Sequence, residues 1–137
     1  MSNIIDLLLN TEVDKIERPF KIIEIPRLSQ LLGGEFKVMC RALTVSKHED
    51  IQEICINKKT NEIAINKMQM KTVIEGVLDL EGKWLFKNKD IQKKFKAPTP
   101  DELVKKLLLS GEMAKLFEVI ADLTGFGEGG IIEEVKN

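Results

Sequence analysis

The sequence predicts a single α+β domain over residues 1–137, mainly helical, with a small antiparallel β-sheet of about two to three strands covered by helices. Three observations predict it. Residues 97–125 spell out two helices, each with a start signal and an apolar stripe. Phe36, Val38 and Cys40 alternate with Lys37, Met39 and Arg41, the pattern of a half-buried strand. Helical patterns outnumber strands elsewhere, and a small sheet needs helices to cover its apolar face.

Taken in order, residues 3–9 form a short amphipathic helix with Ile4, Ile5, Leu8 and Leu9 on one side. Residues 11–18 are polar and lead away from it. Residues 20–25 read as a strand closed by Pro26, and Leu28, Leu31 and Leu32 as a helical turn that Gly33 and Gly34 break. The strand at Phe36 follows so closely that antiparallel pairing with the first is the simplest arrangement. Ser46 and Glu49 form an S-x-x-E start for a helix carrying Ile51, Ile54 and Cys55. Residues 57–66 are turn-rich, with Ile63 and Ile65 as a short strand. Asn66 opens a helix whose Met70, Val73, Ile74, Val77 and Leu78 share a face, ended by Glu81 and Gly82. Residues 83–96 are basic and less regular. Thr99, Pro100 and Glu102 then supply a cap, a first-turn proline and a T-x-x-E box. Ser110 caps the last helix, Gly125 suits the left-handed position that ends it, and residues 126–137 are expected to be a flexible tail.

Composition excludes several classes of function. A formal net charge of −1 gives no global field toward nucleic acid or membrane. No window approaches the roughly 18–20 apolar residues of a membrane span, and the start lacks an export signal, so a cytoplasmic protein is expected. Cys40 and Cys55 sit among apolar neighbours and read as buried free thiols.

Catalytic, metal and cofactor sites are all expected to be absent. The single histidine, His48, lies in a helix without ligand spacing around it and reads as a solvated residue. Neither cysteine sits beside a base, and no G-x-S-x-G elbow is present. The glycines between Gly125 and Gly130 follow a helix instead of opening one, so they do not form a phosphate loop. Residues 83–96 hold six lysines against Asp90, interleaved with Trp84, Phe86 and Phe95. That pattern suits phosphate and base stacking, but arginine is scarce and the rest of the chain is neutral to acidic, so nucleic acid is an unexpected partner. What remains is apolar surface. Leu7, Leu8 and Leu9, and again Leu107, Leu108 and Leu109, carry more leucine than one helix face hides, and these six are the candidate partner-binding residues.

Several segments also resemble a known family. They are IIDLLLN at the start, EIPRLSQLLGGEFKVMCRALT around the strand, KMQMKTVIEGV in the central helix, and KFKAPTPDELVKKLLLSGEMAKLFEVIADLTGFGE near the end. In combination they resemble the XkdN-like family of phage tail assembly chaperones. The resemblance implies a small non-catalytic protein of the bacterial host cytoplasm, absent from the mature virion. It also implies binding to the tape measure protein and recruitment of the tail tube protein, with self-association open to it. A structural tail component, associated with tube, sheath or baseplate, is the alternative.

Overall fold

The computed structural model describes residues 3–134, and the alternation around Phe36 sorts the two faces of its sheet. A short helix α1 (Ile4–Leu9) and a 3-10 turn (Val13–Lys15) precede strand β1 (Phe20–Glu24). Helix α2 (Pro26–Leu32) connects β1 to β2 (Lys37–Arg41). Gly33 ends α2 at φ +73°, a left-handed conformation that a Cβ would disfavour. Then follow α3 (Val45–Cys55), α4 (Ile65–Gly76), β3 (Val77–Leu78), α5 (Lys89–Lys94), α6 (Pro100–Leu107) and α7 (Ser110–Ala121). A π-turn, Asp122–Phe126, closes α7, with Gly125 at φ +104°.

The three strands among the described residues are antiparallel, in the order β1-β2-β3. Val38 and Cys40 of β2 turn inward and are buried. Directly paired residues share a face, so Ile23 opposite Val38 and Val77 opposite Cys40 join them in the core. Helix α4 lies at the centre of the helical layer, packing against α3, α6, α7, β2 and β3. Its Met70, Val73 and Ile74 meet Leu103 and Val104 of α6 and Leu116 and Ile120 of α7 in one cluster. Helices α4 and α7 come unusually close at Gly76. A Cβ there would lie 2.7 Å from Ile120 Cδ1, 3.0 Å from Cγ2 and 3.1 Å from Cγ1.

Several boundaries differ from expectation, each for a local reason. Helix α3 is capped by Thr44, whose Oγ1 accepts from the Lys47 N–H at 3.1 Å, so Ser46 is already inside the helix. Ile63 makes only an isolated bridge to Ile56, and Ile65 opens α4. That helix stops at Gly76 because Val77 and Leu78 take up the free edge of β2, a tertiary partner that outweighs their helical spacing. Thr99 accepts from the Glu102 N–H at 3.2 Å, as its cap position requires. Leu109, not Ser110, occupies the cap position of α7, and the Glu112 carboxylate accepts the Leu109 N–H at 2.8 Å. Within the basic segment, Asn88 caps the short helix α5 by accepting from Ile91 N–H at 3.0 Å. Both cysteines are free and buried. Gly127 to Glu134 carry no helix or strand, while Phe126 rests on His48, with ring centroids 5.0 Å apart. The remainder of the expected tail lies outside the described residues.

Gly76 offers a direct test of the helix packing. Gly76→Ala should destabilise the fold by about 1–3 kcal/mol, despite alanine's better helix propensity, because the new Cβ meets three side-chain atoms of the fully buried Ile120. Gly111→Ala meets nothing within 4 Å and should be neutral or stabilising by up to about 1 kcal/mol. Urea unfolding of both variants beside the parent measures the contrast.

Candidate partner-docking site

The leucine run 107–109 spans a change of backbone direction, which sends its three side chains to different places. Helix α6 ends as Leu108 N–H bonds Val104 O at 2.9 Å, and both Leu108 and Leu109 are extended before α7 begins. Leu107 packs partly buried against the core, Leu108 is only 9% exposed, and Leu109 is 56% exposed. Leu108 is therefore mainly a core residue. Between α4, α6 and α7 lies an open groove of about 610 Å³. Met70, Val104, Leu108 and Met113 give it an apolar lining, and Leu109 joins them from the exposed side. Lys67, Asp101 and Lys105 add charge of both signs.

The wall of this groove is pinned by a side chain from α2. Arg27 of α2 donates from Nε and a terminal nitrogen to the two Glu112 oxygens at 2.9 and 2.8 Å, and to the Leu107 carbonyl at 2.7 Å. Glu112 therefore holds both the bidentate guanidinium and the Leu109 N–H, which fixes the α6–α7 junction. The Arg27 guanidinium holds the Glu112 carboxyl below the usual glutamate range, chiefly through their hydrogen bond. Lys71 of α4 reaches Asp101 of α6 at 3.1 Å, tying the opposite wall. At the other end of α7, Thr124 donates to Ile120 O at 2.6 Å and accepts the Leu43 N–H at 3.1 Å.

The other leucine run is placed apart. Leu7, Leu8 and Leu9 of α1 are 58%, 64% and 78% exposed, and no residue of that helix is buried. Of the six candidate leucines, the groove gathers Leu108 and Leu109. It adds Met70 and Met113, which the sequence pattern assigns to helical core stripes. The signal that could have marked them is residue type: methionine is flexible and polarisable, and suits surfaces that must adapt to varied partners.

The remaining candidates are absorbed into structure. His48 is partly buried, not simply solvated, and with Phe126, Phe117 and Met68 it lines a smaller apolar pocket of about 300 Å³. Burial pushes the Cys40 thiol up to about 11, a poor setting for a nucleophile. In the basic segment Phe86 is buried in the core, and Gln92 donates to its carbonyl at 2.8 Å. Lys87 is occupied by Glu75 at 2.6 Å and by the Trp84 ring at 4.2 Å. Among the described residues no three His, Cys, Asp or Glu side chains are placed to hold a metal, and no helix is long and apolar enough to cross a membrane.

Fold and surface together define a small helix-rich α+β protein with apolar groups left open to solvent. The family model for phage XkdN-like tail assembly chaperone proteins matches residues 5–136, and the chain belongs to that family. A crystal structure of the protein YqbN shares the fold, with a TM-score of 0.58 and 20% sequence identity, over 79% of this chain and 87% of that one. No curated protein matches the chain.

The Arg27–Glu112 link should make stability fall on acidification. Because the folded carboxyl is held below its unfolded value, its contribution is complete above the ordinary glutamate range. The contribution disappears as pH drops through the depressed value. Chemical denaturation at a series of pH values should show the parent losing more stability between neutrality and acid than Glu112→Gln, which has no such carboxylate to protonate.

Proposed function

We propose that the chain binds the tape measure protein during tail assembly and helps recruit tail tube subunits. It would do so without catalysis, in the host cytoplasm, and leave before the virion is complete. The observation that carries this reading is the α4–α6–α7 groove, where exposed Leu109 and partly buried Met113 stand over a floor of Met70, Val104 and Leu108. Membership of the tail assembly chaperone family supports a tail protein as the occupant. An amphipathic helix lays an apolar stripe into a groove of this kind, and the charges of Lys67, Asp101 and Lys105 would meet its polar flanks. Unbranched methionines fit successive segments that share apolar spacing without sharing sequence. Leu7, Leu8 and Leu9 on α1 lie outside this groove and are left for a separate protein contact.

Co-expression with the tape measure protein of the same phage or prophage tests the proposal. The two should co-purify, and Leu109→Asp should lower the recovered tape measure protein by about tenfold, the cost of one lost buried leucine contact. Leu109 is the informative position because its exposure lets the variant fold, whereas Leu108→Asp would place a charge in the core. Unchanged recovery with Leu109→Asp would refute the groove as the seat. Persistence of the chain in purified virions, read by mass spectrometry, would favour a structural tail component instead.

A further inference from the structure

Among the described residues, helix α1 finds no seat that buries any of its side chains. Isolated helices shorter than about 12–15 residues are marginal in water, and α1 has 6. At 100° per residue its five apolar side chains sweep an arc of about 200°, leaving Asp6 alone at the back. All five are exposed. Such a helix is stable only against a partner.

The sheet presents a matching surface. Ile22, Met39, Leu78 and Trp84 stand in a single cross-strand row, because each is paired in register with the next. The core cluster lies on the other face, with Val38, Cys40 and Val77. An uncovered antiparallel face ordinarily carries polar residues. This one carries an apolar row: Leu78 in it is sealed at 1% exposure and Met39 is partly buried, while Ile22 and Trp84 at its two ends stay open at 45% and 49%. Among the described residues, strand β1 is also an edge of the sheet. Beside the row runs a groove of about 470 Å³, where Ile16, Phe20, Met39 and Leu80 adjoin Arg18 and Arg41.

Charge gives the two surfaces complementary signs. Arg18 and Arg41 form no ion pair among the described residues, and Arg18 donates instead to the Ala42 carbonyl at 3.1 Å. Burial and the neighbouring Arg18 charge both disfavour the charged form of Arg41, so an incoming carboxylate would relieve it. The groove's own acids are Glu17 and Glu81, and Lys83 sits 3.7 Å from the latter. Between Asn3 and Ile16 the arm carries Asp6, Glu12 and Asp14 against Lys15.

We propose that α1 of one copy lies across the outer sheet face of a second copy, over Ile22 and Met39, and that the exchange is reciprocal. Each copy carries one helix and one face, so a two-fold pair satisfies both without leaving either open. In its own chain α1 is not seated on this face, since all five of its apolar side chains are exposed. Pro19 O accepts the Ala42 N–H at 2.9 Å, and Arg18 fixes the same carbonyl turn, which sets the course of the segment leaving β1. Within the arm, Thr11 Oγ1 donates to Leu7 O at 2.6 Å and a 3-10 turn follows at Val13–Lys15.

Sedimentation equilibrium of the full-length chain alone tests this, and no tail protein enters the experiment, so its outcome is separate from that of the tape measure reading. At low salt the chain should dimerise, and added salt should weaken but not abolish the dimer. Leu8→Asp on the helix and Ile22→Lys on the sheet should each raise the dimer dissociation constant about tenfold or more, with circular dichroism unchanged. Under oxidation, the double variant I5C/I22C should form a covalent dimer more completely than either single variant. A chain that is monomeric at every concentration would overturn the proposal. So would a dimer indifferent to both charge substitutions, or a link that closes within one chain, which would make the arm its own latch.

Discussion

Ile120 leaves no space over Gly76, and the architecture follows from that approach. A glycine at the end of α4 lets α7 sit closer than any larger residue would allow. Because α4 also packs on α3, α6 and two strands, the depth at which α7 docks sets where its other side chains fall. Met113 is carried to the α6 side, where it lines the groove, and Leu116 is sealed in the core. Thr124 at the far end is brought within reach of the Leu43 N–H, which stitches the π-turn to the chain just after β2.

Polar groups do a different task from apolar ones here. Apolar burial holds the helices on the inner sheet face, and it is indifferent to small rotations. Arg27 is directional: its contacts with Glu112 and the Leu107 carbonyl fix how α6 turns into α7. That turn decides that Leu108 goes in and Leu109 comes out. A leucine run is thus divided between stability and exposure by a guanidinium on α2, some eighty residues earlier in the chain.

Most of the fold was legible because local signals and tertiary packing agree. The antiparallel pair around Val38 and Cys40, the Thr99 cap and the stripe on α7 all appear where periodicity and capping chemistry place them. Disagreement concentrates where a distant partner decides. Val77 and Leu78 continue the helical spacing of α4, and only the free edge of β2 makes them a strand. Thr44 and Ser46 both offer a cap hydroxyl, and the start of α3 shows which is used. The candidate surface was half legible. Excess leucine marks Leu109 and α1, but no periodicity separates Leu108 from its neighbour, since a bend between helices turns them apart. Met70 and Met113 look like core on a helical wheel, and their role at an opening comes from the relative placement of three helices.

The two cysteines carry a practical consequence. Cys40 is buried in the middle strand, flanked in register by Lys21 and Val77, while Cys55 is buried at the last turn of α3. A thiol reagent reaches the first only when the sheet parts, and the second only when α3 lifts from its seat. The chain therefore contains two native clocks, one for each layer, and their alkylation half-times would tell whether the layers loosen together or in sequence.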